Sequence, residues 1–373
     1  MSYFDFFCNN NDKSKPDNSE KIQGTCYSMC PQAEVTLRER ENLVHVLEVA
    51  GGTRKLVKSY SRSAADSNMA APHLLRPYRV LKDTVQYLLR DVIKRKGVSS
   101  LVLYDFLNDR LRAVRQDMTI QRLPPGECAC LLEPMVRFYV YFGYKFSNLK
   151  PGDFDQVLNK KYLLESLKWF LYCCDSMEQS STKVEEVDVL NGFMSNLDIS
   201  KRNPSYDRVL MESLYILCNL DDIYPLMRYL GLPKELKSNL TLELAYKVAI
   251  ANWKRNYIFV CSAIKNLCPL SFCALSSYLP TIQRQALRVM SHGYSSKQLT
   301  VPVATVRQWL HFTSDAEALS VCRHYGLKTE ERGVRFNKTD FKTDVPLHQL
   351  EKHFRHEEKL NLQDMDEIFI TCQ

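Results

Sequence analysis

The residues with the most chemistry to offer are thirteen cysteines, eight histidines and two clusters of charge. Thiolates and imidazoles hold zinc, and a structural zinc site takes about four of them in paired spacing. Cys26 and Cys30 have three residues between them and no second pair at finger-like distance, while Cys173 and Cys174 are adjacent and point different ways on a helix. Cys128, Cys130, Cys261, Cys268 and Cys273 sit among apolar residues, so the cysteines read as small buried hydrophobes. His353 and His356 stand beside Glu357 and Glu358, a spacing that suits a solvated helix face better than a metal site. No Gly-rich phosphate loop, Gly-x-Ser-x-Gly elbow or His-Glu-x-x-His motif occurs. A Cys–His pair that is close only in space leaves no mark in a sequence, and nothing points to one. The expectation is a protein that is not an enzyme, with no cofactor and no metal.

The charge is unevenly placed. The chain carries 50 basic and 43 acidic residues, a net +7. From Leu244 to Ser314 there is no Asp or Glu, and Lys247, Lys254, Arg255, Lys265, Arg284, Arg288, Lys297 and Arg307 all fall there. Without these eight, the remaining 42 bases face 43 acids, so the net charge belongs to this one block. On a helix at 279–290, Arg284 and Arg288 lie opposite an apolar side of Ile282, Ala286, Val289 and Met290. Such a block is either a solvated face completed by acids from elsewhere in the fold or a surface for phosphate backbones. With Arg332, Arg335 and Lys338 further on, these bases are the candidate nucleic-acid contacts. No aromatic-rich ribonucleoprotein signature occurs, so sequence-specific base reading is not supported.

The second cluster sets Arg110, Arg112 and Arg115 among Asp109 and Asp117 on one helical stretch. An exposed Asp109–Arg112 pair is worth only about a few tenths of a kcal/mol. Buried arginines would instead hold neighbouring helices, or the segment Gly24–Pro31, through forked hydrogen bonds. The interleaved acids favour that structural role over contact with RNA.

The elements that must carry these residues are mostly helices. Hydrophobic residues make up 45% of the chain and charged residues 25%, and glycine, costly inside helices, numbers only 12. No apolar run approaches the roughly 20 residues that cross a bilayer. The first residues carry neither a basic region nor a small-residue cleavage site, so no leader is expected and the cytosol or nucleus is the expected compartment. There disulfides are not expected. Residues 1–22 read as a disordered tail, with Tyr3, Phe4, Phe6 and Phe7 packing loosely. A helical pattern runs over 32–49 and stops at Gly51-Gly52, and 53–78 is polar and loop-like around Pro72 and Pro77. Leu81, Val85, Leu88 and Leu89 form an apolar helical stripe. Helices are then predicted over 101–122, 134–144, 158–175, 185–197, 208–217, 223–230, 240–253 and 257–267, which suggests stacked helical hairpins without a fixed repeat period.

The end of the chain changes character. Val303, Val306 and Leu310 give one apolar helix face after Pro302, a good first helical residue. Ser314-x-x-Glu317 is a capping box, Ala318, Cys322 and Tyr325 line the helix it starts, and Gly326 is a natural C-cap. Two short strands are expected over 327–337 around Arg332-Gly333. With a helix at 279–291, this is the order of a winged helix. Asp315 and Glu317 make the second helix a poor reader of a major groove, which favours a protein-pairing role for it. The expected organisation is a tail at 1–22, an N-terminal segment at 23–78 wrapping a helical-repeat domain at 79–275, a winged helix at 276–350 and a C-terminal helix or tail at 351–373.

Four segments together resemble the GANP-type, or Sac-three, family of mRNA-export scaffolds. They are Gly24-Thr25-Cys26-Tyr27-Ser28-Met29-Cys30-Pro31; Arg76-Pro77-Tyr78-Arg79-Val80-Leu81 with Thr84 and Tyr87-Leu88-Leu89; Phe106-Leu107-Asn108-Asp109-Arg110-Leu111-Arg112-Ala113-Val114-Arg115-Gln116-Asp117; and Glu133 with Arg137-Phe138. The family commonly has Trp where this chain has Asn108. The resemblance implies a PCI-type module, TPR-like helical repeats joined to a winged helix, and a scaffold role in nuclear mRNA export. It implies pairing with another PCI-type helical subunit, and the basic block over 244–314 makes RNA a candidate further contact. Short family members, the SAC domain-containing proteins, are associated with the centrosome and mitotic spindle, which implies centrosome and spindle proteins as partners, a role in mitosis and the cell cycle, and no membrane. The alternative is a protein-only PCI subunit of another assembly, such as the proteasome lid or a translation-initiation complex, without RNA binding.

Overall fold

In a computed structural model of the chain, residues 22–61, 70–191, 206–331, 333–349, 351–352, 357–360 and 365–370 are described, with the backbone alone at 50, 181–191 and 366. The expected tail with Tyr3, Phe4, Phe6 and Phe7, the candidate contact Arg332, and His353 with His356 lie outside the described residues. Chain contacts divide the protein into one unit of residues 1–139, 157–207 and 365–373 and another of 140–156 and 208–364.

The first unit holds α1 (Gln32–Arg40), the hairpin β1 (Val49–Ala50) and β2 (Thr53–Arg54), α2 (Tyr78–Tyr87), α3 (Ser100–Gln121), most of α4 (Pro125–Lys145), α5 (Gln156–Asn191) and the short α15 (Met365–Phe369). Its centre is α3. Ser99 caps the helix by accepting the Val102 N–H at 3.2 Å, and Arg122 ends it in a left-handed conformation. Between them Leu103, Phe106, Leu107, Leu111, Val114 and Met118 are buried. Each such side chain contributes about 1.5–3 kcal/mol by leaving water. The stripe of Leu81, Val85, Leu88 and Leu89 is buried as well.

Three sequence expectations are corrected in this unit. The helix expected over 32–49 stops at Arg40, where Asn42 turns left-handed. Leu37, Leu43 and Val46 are exposed, because the buried residue on this helix is Arg38 and the chain must turn back to bring Glu48 to it. The helix expected to begin at Pro134 begins at Pro125. Pro134 costs that helix a hydrogen bond, but Cys128, Ala129, Leu131, Leu132, Met135 and Val136 are all buried, and their packing outweighs the loss. The helix expected over 158–175 and the described part of the one expected over 185–197 are one, α5, which runs unbroken through 176–184, while 192–197 lie outside the described residues.

The second unit contains α6 (Arg208–Leu217), α7 (Tyr224–Gly231), α8 (Lys234–Lys237), α9 (Leu240–Trp253), α10 (Tyr257–Ala263), α11 (Pro269–Ser276) and α12 (Leu279–Gly293). Then come β3 (Val301–Pro302), α13 (Val303–Leu310), α14 (Asp315–His324), β4 (Lys328–Glu330) and β5 (Gly333–Arg335). α6 packs on α9 and α11, and α10 packs on α12 and α13. The strands form one antiparallel sheet in the order β3-β5-β4, with Val334 facing both Val301 and Thr329. On α12, Ile282, Ala286 and Met290 are buried with Gln283 and Leu287, whereas Val289 is exposed. The apolar side of this helix is thus turned toward 283 and 287 relative to the expected one. Val303, Val306 and Leu310 on α13 and Ala318, Cys322 and Tyr325 around α14 are buried. The Ser314 hydroxyl accepts the Glu317 N–H at 3.0 Å, while the Glu317 carboxylate reaches back to the Thr313 N–H. Gly326 has φ +83°, and a Cβ there would sit 2.4 Å from the Asp340 carbonyl oxygen.

Candidate nucleic-acid interface and the motif network

The charged face of α3 binds the N-terminal segment of the first unit. Asp117 and Arg76 have fully buried side chains, joined by a 2.7 Å contact from Arg76 Nε. The second Asp117 oxygen takes Lys58 Nζ at 2.6 Å. Arg76 Nη1 also donates to the Met29 carbonyl at 3.3 Å. One helical turn on, Gln121 accepts the Gly24 N–H at 2.8 Å and donates to the Arg76 carbonyl at 2.8 Å. Thr25 N and Cys26 N donate to the carbonyls of Pro72 and Leu75. A Cβ on Gly24 would lie 2.4 Å from the Leu75 carbonyl oxygen, so only glycine fits. Cys26 and Cys30 are buried, and burial together with Glu34 pushes the Cys30 thiol up to about 12. A thiol held so far up is not a nucleophile at neutral pH. Pro31 precedes α1 and Pro77 precedes α2, each with the extended backbone that ends a loop.

The other half of the network is built around Glu48. Arg38 and Arg110 both reach its buried carboxylate, and it accepts the Val57 N–H at 3.0 Å. Burial alone would raise this carboxyl, but the Val57 N–H and the two guanidiniums hold it below its ordinary range. Asp109 pairs with Arg110 and accepts the Tyr60 N–H, so the i, i+3 pair with Arg112 does not form. Arg112 lies instead over the Tyr60 ring, 3.8 Å from its centroid, and 5.0 Å from that of Tyr162. Arg115 reaches Glu165 at 3.1 Å, and Gln116 donates to the Ser61 carbonyl at 2.9 Å. On α4, Arg137 grips Glu133 at 2.6 Å and donates to the Ile368 carbonyl. Asn108 accepts the Tyr139 hydroxyl at 3.0 Å.

Glu48, Lys58, Gln121 and Glu165 were missed by sequence reasoning. One signal for them exists: three arginines against two aspartates on 109–117 leave guanidiniums that need partners from outside the helix. The network does what a clamp does: its largely buried ion pairs tie the N-terminal segment to α3. Among the described residues no group of three or more His, Cys, Asp or Glu could hold a metal ion, and the eleven described cysteines form no disulfide.

The basic block lies wholly in the second unit. Three of its candidates are paired: Lys247 with Glu243 at 2.7 Å, Arg307 with Asp315 at 3.3 Å, and Arg335 with Glu330 across the β4–β5 hairpin. Arg284 is half-buried and donates to the Thr343 carbonyl at 3.0 Å. Lys254, Arg255, Lys265, Arg288, Lys297 and Lys338 are exposed and make no ion pair among the described residues. The structure brings Arg255 and Arg288 together on one cleft.

The molecule is therefore a mainly helical protein with a buried ionic clamp in one unit and unpaired surface bases in the other. The SAC3/GANP family model matches residues 29–331, and the chain belongs to this family. It is similar to the protein xmas of Drosophila melanogaster, 27% identical over 332 residues, covering 84% of this chain and 15% of that protein. SAC3 family protein B of Arabidopsis thaliana is 26% identical, covering 84% of this chain and 18% of its own length. SAC3 family protein 1 of Schizosaccharomyces pombe is 25% identical, covering 89% of this chain and 33% of its own length. The chain thus spans a third or less of these curated relatives. No described helix is long and apolar enough to cross a membrane.

Proposed function

We propose that this chain is a non-enzymatic scaffold module of a nuclear mRNA-export assembly, which pairs with another PCI-type helical subunit and contacts single-stranded RNA through its basic block. Family membership supports the scaffold role. The observation that carries the RNA contact is the set of six exposed bases without an acidic partner among the described residues, five of them inside a stretch that has no acid. The bases of the stretch that do pair, Lys247 and Arg307, use Glu243 and Asp315, the acids that flank it on either side.

The reading of this region as a winged helix is supported by the order helix, strand, helix, helix, strand, strand over α12 to β5 and by the sheet order β3-β5-β4. Its polar side chains are spent internally. Glu317 is a cap, Asp315 holds Arg307, Arg323 donates to Thr329 and His324 bonds the Pro346 carbonyl. Besides Arg323 and His324, which are engaged as above, the exposed residues of α14 are Ala316 and Ser320, small side chains that suit a protein neighbour better than base edges. The test is the affinity of the purified chain for a generic single-stranded RNA, compared with a Lys254→Glu, Lys265→Glu, Lys297→Glu variant. Weakening by tenfold or more supports the reading, and equal affinity refutes it.

A further inference from the structure

We infer that a cleft in the second unit is a stacking site for one nucleotide of single-stranded RNA, a reading that rests on the RNA contact proposed above. The cleft, of about 640 Å³, lies between the end of α9, the turn into α10 and one side of α12. Trp253 stands on its wall with 55% of its surface exposed. An indole left in water offers a broad face, and base–aromatic stacking tolerates any sequence. Arg255 and Arg288 line the same cleft, and neither has an acidic partner among the described residues. Arg255 takes the left-handed conformation, φ +57°, that closes the C-terminal turn of α9. The turn that imposes it is fixed by the Asn256 N–H to Ala251 carbonyl bond of 2.8 Å. The wall is braced in turn, since the Tyr278 hydroxyl donates to the Cys218 carbonyl at 2.9 Å.

These groups divide the work of holding a nucleotide. The indole takes the base, the two guanidiniums take the flanking phosphates in forked bonds, and Gln285 offers an amide to whatever edge the base presents. An acidic peptide would satisfy the arginines but would leave the indole in water.

The experiment measures affinity for a labelled uridine decamer over a salt series, using the whole chain. Trp253→Leu is expected to weaken binding about tenfold with the salt slope unchanged, because no phosphate contact is lost. Trp253→Phe, which keeps an aromatic face, is expected to retain most of the affinity. Arg255→Gln with Arg288→Gln is expected to lower the slope by about 1.4, near 0.7 for each phosphate released. If Trp253→Leu binds as the wild type does, the cleft is refuted while the wider RNA reading stands. If the wild type binds no RNA at low salt, both fall. Tighter binding of a polyglutamate peptide than of the decamer also overturns the proposal.

Discussion

Replacing Asp117 by Asn should loosen the N-terminal segment of the first unit more than any surface change. The Asp117 carboxylate is fully buried and holds two cations, Arg76 at 2.7 Å and Lys58 at 2.6 Å, together with the Arg76 N–H at 3.3 Å. Asparagine keeps the volume and one acceptor but removes the charge and leaves a fully buried guanidinium without its counter-ion. Breaking a buried pair on one side costs about 3–5 kcal/mol. The loss should appear first where the clamp acts, on the stretch Gly24–Pro31, joined to this cluster through Gln121 and Arg76, and on Lys58, which Asp117 holds directly. Two measurements read it. Urea unfolding, with a separate transition allowed for each unit, gives the energy, and limited proteolysis followed by mass spectrometry gives the location. A cost below about 1 kcal/mol, or cleavage that begins elsewhere, would refute the assignment of this cluster as a clamp.

Other outcomes follow from the same geometry. Gly24→Ala should destabilise the first unit by about 1–3 kcal/mol, because its Cβ would fall 2.4 Å from the Leu75 carbonyl oxygen, and urea unfolding of the variant checks it. Arg112→Lys should cost about 0.5–2 kcal/mol, since an ammonium cannot lie flat over the Tyr60 ring, and a variant as stable as the wild type would show the stacking to be idle. His348 is buried among Tyr325, Gln283 and Phe312, and burial together with His324 lowers it from 6.5 to about 4. Its neutral form is the one the fold holds, so its contribution is complete above pH 6.5 and is lost as pH falls toward 4, amounting to about 3 kcal/mol. The stability difference between wild type and His348→Gln should therefore shrink by about that amount between pH 7 and pH 4, and a constant difference would contradict it.

Much of the helical frame is legible in the sequence because strong periodicity coincides with good ends. α6 and α9 have the expected termini, the latter with Asn239 accepting the Thr241 N–H as its cap. Where expectation failed, a charge or a long-range contact won over local pattern. On the helix that the pattern over 32–49 predicted, Arg38 took the interior while Leu37 stayed exposed, and Glu48, outside every motif, proved to be the acid that two arginines share. The division between the two units falls inside α4, at Tyr139 and Val140, where no turn residue marks it. The basic block was visible as composition, but composition cannot say which bases are paired. Lys247 finds its acid on the preceding turn, and Arg335 finds one across a hairpin. Arg255 and Arg288 meet Trp253 only because α9, α10 and α12 fold together.

The measurement that tests the account most directly is the affinity of the purified chain for single-stranded RNA between about 50 and 200 mM salt. The account predicts a straight fall of log affinity with log salt, steep enough to report several phosphate contacts at about 0.7 each. Absence of binding at the low-salt end, or affinity that does not change with salt, would contradict it.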